Sequence, residues 1–127
     1  MSKIQYTQTD LAPKAIGPYS QATSFNKIHF FSGQIGLDAK TGEMKNGFQE
    51  QLNQVMNNID GLLKANSLER KNVIKSTIFL KDLSQFAAIN AAYEKFFTPP
   101  YPARSTIEVS KLPKDGLVEI EIIAAEF

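Results

Sequence analysis

The stretch that decides the fold is residues 99–127, PPYPARSTIEVSKLPKDGLVEIEIIAAEF. Its pattern predicts two β-strands, Ser105–Val109 and Leu117–Ala125, around the turn-forming segment SKLPKDG. In the second strand, apolar residues occupy both alternating sets of positions, so both faces of the sheet receive apolar side chains. A strand exposed on one face would alternate with polar residues. We therefore expect the second face to meet another surface, most simply a second copy of the chain.

Upstream of this stretch, strand patterns and helix patterns alternate. The segment DAKTGE reads as a hairpin-type turn in which Gly42 supplies a positive φ, and APKAIGPYSQAT begins as a loop because of its prolines and glycine. β-branched and aromatic residues predict further strands in KIQYT (3–7), KIHFFSGQIGL (27–37) and NVIKSTIFLKD (72–82).

Two helices are predicted from apolar residues at spacings of three and four. The first begins at Phe48 and ends near Asn66, and the second is capped by Ser84 and stopped by TPPYP. The second helix has an apolar inner face made of Phe86, Ile89, Tyr93, Phe96 and Phe97. The element order β, β, β, α, β, α, β, β favours an α+β fold, a mixed six-stranded sheet with both helices on one face.

The composition narrows the class of protein. A chain of 127 residues fits a single domain, 1–127, and its net charge of +1 with scattered lysines gives no basic footprint for nucleic acid. The absence of cysteine excludes disulfides and thiolate chemistry, and with one histidine it makes a zinc site unexpected. No signal-peptide pattern or membrane-spanning apolar run is present. These features favour a soluble cytoplasmic protein that binds neither nucleic acid nor membranes.

Arg104 and Glu119 are the candidates for a small-molecule site. Arg104 follows a proline cluster, and its planar guanidinium suits a carboxylate, although a surface salt bridge would use the same residue type. Glu119 is a carboxylate inside an apolar strand, where it faces solvent, pairs with Arg104, or serves a site. Glu108 and Glu121 are rivals on the same reasoning.

Weaker signals come from small and polar residues beside aromatic ones. Gly33 and Gly36 permit close backbone approach to a ligand, or merely a bend in a strand. Asn90 lies among apolar helix positions and needs a polar partner, which is usually backbone. His29 is interpreted as a packing or surface residue.

Four segments together resemble the RidA (YjgF) family of reactive-intermediate deaminases: AIGPYSQA, FSGQIGLD with TGE, SQFAAINAAYEKFF, and PPYPARSTIEVSKLPKDGLVEIEIIA. The resemblance runs from about residue 5 to residue 125. It implies a chorismate-mutase-like trimeric barrel, with the sheets inside and a cleft at each subunit interface. It also implies hydrolysis of 2-imino acids, the tautomers of 2-aminoacrylate and 2-aminocrotonate, to 2-oxo acids and ammonia, with no metal or cofactor.

The resemblance assigns roles to individual residues. It matches the family's carboxylate-binding arginine to Arg104 and the acidic residue near the attacking water to Glu119. It matches further substrate-binding positions to Tyr19, Ser32, Gly33, Asn90 and Thr106. Many members carry cysteine where this chain has Thr106, so thiol-based regulation is not expected here.

Two other functions stay open at this point. The same arginine and fold could bind a 2-oxo acid without turnover, as a sensor or a chaperone-like partner. Some relatives carry an endoribonuclease or translation-inhibitor label, but the near-neutral charge counts against action on RNA.

Overall fold

The computed structural model describes residues 3–127. Six strands form one sheet in the order β1-β2-β3-β6-β4-β5, in which β4 and β5 are parallel and every other pair is antiparallel. The element order is the predicted one. The strands are β1 Gln5–Thr7, β2 Ala22–Phe25, β3 Ile28–Phe31, β4 Val73–Leu80, β5 Ala103–Glu108 and β6 Val118–Ala125, and the helices are α1 Phe48–Ala65 and α2 Phe86–Phe96.

Both helices cover the same face of the sheet, as predicted. The apolar stripe of α1 and Ile89 of α2 share one core with the inward residues of the central strands. These strand residues are fully or almost fully buried: Ile78, Leu80, Val118, Ile120 and Ile122. No helix within residues 3–127 is long and apolar enough to cross a bilayer.

The other face of the sheet, which we call the open face, carries no helix. Phe30 and Ile107 are 49% and 45% exposed there, and Ile123 is paired with Phe30 beside them. Glu119 and Glu121 also point to this side, because they alternate with the buried Ile120. The prediction that the strands are apolar on both faces is therefore confirmed.

Three local predictions need correction. The strand predicted over 27–37 ends at Phe31. Beyond it, Gln34 still pairs with Ile120 of β6 at a single bridge, but the register has shifted by one residue from the Phe30–Ile123 pair, which interrupts the strand. Ser84 does not cap α2. It lies inside a short 3₁₀ turn, Leu83–Gln85, that precedes α2, and the side chain of Asp82 accepts the Ser84 N–H instead. Phe86 is not an inner-face residue, since it is 43% exposed.

Two buried amides of α1 fix the loops that surround the sheet. Asn58 donates to the carbonyls of Ile35 and Leu37. Gln51 donates to the carbonyl of Lys45 and accepts the N–H of Leu117. Because a buried amide without partners would destabilise the fold, these bonds hold the 35–45 segment and the start of β6 in one arrangement. Ile35 and Leu37 of this segment line the cavity that contains Glu119, described below.

Candidate functional site

Arg104 is held in place by helix α2. It is the second residue of β5, directly behind the proline cluster, and lies opposite the buried Ser76 of β4. This register puts its side chain on the helix-covered face. Its Nη2 donates to the Oδ1 of Asn90 at 2.8 Å, so the Asn90 amide is partnered by a side chain rather than by backbone. One of the five N–H groups is used in this way, and the rest of the fork is available to a ligand.

The cavity beside this guanidinium, the Arg104 cavity, has a volume of about 600 Å³. Its wall combines the cationic fork with amide and aromatic surface. The lining residues are Asn90, Tyr93, Glu94, Tyr101, Pro102 and Arg104. A positive fork beside apolar rings suits a small organic acid.

The only other arginine of the chain shows the contrast. Arg70 is neutralised internally, because its Nε and Nη2 bind both carboxylate oxygens of Asp60 at 3.0 and 2.7 Å. Arg104 makes no salt bridge with any residue in the described chain. The alternative interpretation, in which Arg104 forms a surface salt bridge, is therefore wrong within this chain. Its charge lacks the carboxylate that an arginine fork is shaped to bind.

Glu119 lies in a second cavity, the Glu119 cavity, of about 450 Å³ at the end of the open face. It includes Tyr19, Ser32 and Gly33, three of the residues predicted from sequence, together with Glu121. The wall also includes apolar side chains, among them Ile16, Ile35 and Leu37, and the cationic Lys14. Carboxylates beside apolar surface suit a site that handles a polarised water next to an organic substrate.

The pKa of Glu119 is raised above its usual range, first by burial and second by the negative charge of Glu121. A carboxylate whose pKa is raised toward neutral pH is a stronger proton acceptor than an ordinary surface glutamate. Its rival Glu108 has a structural task, since its carboxylate accepts the N–H of Leu83 at 2.9 Å. Glu119 is thus the better candidate for a general base.

Gly33 makes room for the Glu119 carboxylate. A Cβ at position 33 would lie 2.8 Å from Cδ of Glu119 and closer still to one of its oxygens. The absence of a side chain at Gly33 is therefore a steric requirement of the site, rather than a mere bend in a strand.

We expect Gly33→Ala to displace the Glu119 carboxylate and to lower turnover about 10- to 100-fold, the cost of misplacing a catalytic group by roughly 1 Å. The group that must move is the end of a flexible side chain, so thermal unfolding should change little. Steady-state kinetics and a melting curve on the same preparation test both parts. Full activity in Gly33→Ala would contradict the placement of Glu119.

The wall of the Glu119 cavity is held by buried polar contacts. The Gln21 amide donates to the carbonyls of Thr9, Ala12 and Pro13, and its oxygen accepts the Thr9 N–H. The Ser32 hydroxyl donates to the Ser20 carbonyl at 2.6 Å. Tyr19 is half exposed, and its phenol oxygen accepts the Ile16 N–H at 3.2 Å. These bonds tie residues 9–21 to the sheet beside Glu119.

The structure does not bring Arg104 and Glu119 together within one chain. Strand β4 lies between β5 and β6, which places the two strands about 10 Å apart. Arg104 points to the helix-covered face and Glu119 to the open face, so the two side chains line separate cavities. A structural ion pair between them is excluded in this chain.

The remaining predicted residues are placed as follows. Thr106 follows Arg104 by two residues on the same side of β5 and lines neither cavity. Its buried hydroxyl has no hydrogen-bond partner among residues 3–127.

His29 is buried, and its Nε2 lies 2.7 Å from a Glu126 oxygen, which agrees with its interpretation as a packing residue. Within the described chain, no group of three or more His, Asp or Glu side chains could hold a metal ion.

Sequence reasoning missed the aromatic surroundings of Arg104. The rings of Phe86 and Tyr93 each lie 5.2 Å from its Cζ. Both were assigned to the inner face of α2 by their spacing, and Tyr93 is indeed buried. The available signal was the spacing Phe86, Asn90, Tyr93, which puts two rings and an amide on one side of a helix.

Similarity to known proteins defines the family to which this chain belongs. The endoribonuclease L-PSP family model matches residues 9–126. A RutC family protein of Pyrococcus horikoshii is 48% identical over 125 residues, 98% of each chain. The 2-iminobutanoate/2-iminopropanoate deaminase of Escherichia coli K12 is 44% identical over 119 residues, which cover 91% of this chain and 93% of that protein. The crystal structure of RidA from an Antarctic Psychrobacter superposes with a TM-score of 0.94 at 42% identity, covering 96% of this chain and 99% of that one.

The fold is therefore that of the RidA proteins. The chain belongs to the RidA/YjgF family, whose members include proteins named deaminases and others named only by family. The resemblance inferred from the four sequence segments is confirmed.

Proposed function

We propose that this protein hydrolyses 2-imino acids to 2-oxo acids and ammonia. The observation that carries the proposal is the state of Arg104, whose guanidinium is held by Asn90 beside a cavity and has no carboxylate partner in the described chain. A relative with 44% identity is named 2-iminobutanoate/2-iminopropanoate deaminase, which supports the same chemistry.

The reaction needs an anchored acid and a delivered water. An enamine such as 2-aminoacrylate tautomerises to the 2-imino acid, whose carbon is electrophilic when the nitrogen is protonated. Arg104 would bind the carboxylate in bidentate fashion, which fixes the face of the C=N bond that water meets. Binding of this kind supplies orientation to a reaction that also proceeds in water.

Glu119 would serve as the base. Its carboxylate takes a proton from the attacking water, so that a C–O bond forms and the C=N π electrons move to nitrogen. The protonated Glu119 then returns a proton to the amine of the carbinolamine. Glu119 then takes the proton of the carbinolamine hydroxyl, so that the oxygen electrons form the C=O bond as the C–N bond breaks. Ammonia leaves, and the 2-oxo acid remains bound to Arg104. The raised pKa of Glu119 favours both steps in direction, since it makes the carboxylate a better proton acceptor than an ordinary glutamate while its protonated form can still donate.

Because the two groups lie on opposite faces of one sheet, we propose that each site forms between two chains. Arg104 is on β5, an edge strand of the sheet, and Glu119 is on the open face of β6. Contact between the edge of one chain and the open face of another joins two different surfaces, and such contacts form a closed ring when the rotation between chains closes. A homotrimer of this kind would also cover the exposed Phe30 and Ile107.

The smaller residues of the two cavities complete the proposed site. Tyr19, Ser32 and Gly33 would surround the substrate on the Glu119 side, and Asn90 would hold the guanidinium on the other. Thr106 would contact substrate next to Arg104 through its main-chain groups, since its hydroxyl is buried and lines neither cavity. The biological role we propose is removal of the reactive enamines released by pyridoxal-phosphate dehydratases.

The test is a coupled assay. A threonine or serine dehydratase generates 2-aminocrotonate or 2-aminoacrylate, and release of the 2-oxo acid is followed with and without this protein. We expect faster release in its presence. Binding of 2-oxobutyrate without any acceleration would instead support a non-catalytic 2-oxo-acid-binding protein. RNA cleavage that persists after repurification and tracks a cavity variant would support a ribonuclease.

A further inference from the structure

Three residues of α2 surround the guanidinium of Arg104. Phe86, Asn90 and Tyr93 stand at positions i, i+4 and i+7, so their side chains leave the same side of the helix. The ring centres of Phe86 and Tyr93 are each 5.2 Å from the Arg104 Cζ, and the Asn90 oxygen accepts an N–H at 2.8 Å. We call this group the arginine clamp.

Both ring centres lie within the roughly 6 Å over which an aromatic face attracts a cation, so the guanidinium contacts two rings at once. Two aromatic faces attract a cation and limit its rotation, while the amide fixes it along the third direction. The N–H groups that Asn90 does not use therefore have one preferred orientation.

Tyr93 is itself anchored. Its hydroxyl donates to Ser76 Oγ at 2.9 Å, and both groups are buried. Burial raises the pKa of the Tyr93 phenol to about 12, so the phenol stays neutral and keeps this bond at physiological pH. Because Ser76 is also the register partner of Arg104, the same position of β4 fixes the ring and the arginine.

The arrangement differs from an ordinary structural arginine. Arg70 also stacks on a ring, with Cζ 3.9 Å from the centre of Phe96, but its fork is occupied by Asp60. In the clamp, the ring contacts and the amide restrain the cation while leaving the fork without a carboxylate. Phe86 is 43% exposed and is not a core residue, and its ring contacts Arg104.

We propose that Phe86 and Tyr93 are positioning residues that orient the Arg104 guanidinium before an acid binds. The inference rests on the proposed function for the identity of that acid, but the restraint of Arg104 can be measured without it. Loss of one ring releases the cation to more orientations, and an acid that binds must then fix it again. We expect the affinity for a 2-oxo acid to fall by about three- to tenfold, the range of a single cation–π contact.

Phe86 is the residue to change, because it is partly exposed and lies outside the core cluster, so Phe86→Leu leaves the core residues in place. Phe86→Trp restores a π face and is the rescue variant. Phe96→Leu is the matched control, since it removes a ring of the same helix that faces the other arginine. With two arginines in the chain, the side-chain Nε–H signals of Arg70 and Arg104 in a nitrogen–proton NMR spectrum are readily assigned with Arg104→Lys.

Two measurements test whether Phe86 orients Arg104. They are the Arg104 Nε–H signal in free protein and the calorimetric affinity for 2-oxobutyrate. We expect Phe86→Leu to move the Arg104 signal and weaken binding, Phe86→Trp to restore binding, and Phe96→Leu to move only the Arg70 signal. An unchanged Arg104 signal, or unchanged binding, in Phe86→Leu would overturn the inference. If wild-type protein bound no 2-oxobutyrate while Phe86→Leu still moved the Arg104 signal, the proposed function would fail and the positioning of Arg104 would stand.

Discussion

Arg104→Ala is expected to reduce imine hydrolysis to the spontaneous rate, and Arg104→Lys to reduce it by at least about 100-fold. Alanine removes the charge that binds the substrate carboxylate. Lysine keeps the charge, but as a mobile point without the planar fork, so neither the bidentate contact nor the clamp between Phe86 and Tyr93 can form. The measurement is 2-oxo acid release from freshly generated 2-aminoacrylate.

Arg70→Lys supplies the control for this experiment. It makes the same chemical change at the only other arginine, which binds Asp60 and the Phe96 carbonyl away from both cavities. We expect its turnover to match wild type. Arg104→Ala protein that hydrolyses imines at the wild-type rate would show that the assigned chemistry is wrong.

Glu119→Gln is expected to lower turnover by about 100- to 10,000-fold, the usual contribution of a general base. The substitution preserves volume and polarity, so affinity for 2-oxobutyrate should change far less than turnover. Glu108→Gln is the matched control, because that carboxylate caps a turn and lines neither cavity. Equal losses of turnover in Glu119→Gln and Glu108→Gln would contradict the assignment of Glu119 as the general base.

The pH dependence follows from the direction of the Glu119 pKa shift. The base must be ionised, so the rate falls as pH falls through a pKa raised above the ordinary value of 4.5. Glu121→Gln removes one cause of that shift and should move the acid limb of the rate profile to lower pH. A limb that stays in place would exclude Glu119 as its source.

Glu119→Gln is expected to lower turnover but to raise the stability of the folded protein. A carboxylate whose pKa is raised by folding favours the folded state in its protonated form, and that contribution is lost as pH rises through the folded-state pKa. Glutamine should therefore unfold at a higher temperature than wild type at neutral pH. The difference should shrink below the ordinary pKa, where both versions are uncharged.

Much of the fold could be predicted because local patterns and tertiary structure agree. The stripe from Phe48 to Leu63 gave α1 and its buried face, and the strand–helix–strand order gave a mixed sheet with both helices on one side. The alternation of Glu119 and Glu121 with Ile120 and Ile122 correctly predicted an apolar strand with acidic groups on its second face.

The site was predictable only in its parts. The alternation of residues along a strand indicates which face of the sheet each side chain takes. It does not give the order of strands in the sheet, so the position of β4 between β5 and β6 was not predicted. Phe86 looked like a core residue because aromatic spacing does not distinguish packing on apolar groups from packing on a guanidinium. Ser84 does not cap α2 because a short 3₁₀ turn precedes the helix, and the side chain of Asp82 caps that turn.

The most direct test of the account mixes two inactive proteins. Arg104→Ala and Glu119→Gln chains, carrying different tags, are refolded together in equal amounts, and the mixture is assayed for imine hydrolysis. If each site takes Arg104 from one subunit and Glu119 from its neighbour, about a quarter of the sites contain both intact residues, and about a quarter of wild-type activity should return. A mixture in which the two tags co-purify, showing mixed assemblies, but whose rate stays at the spontaneous level, would contradict a site shared between chains.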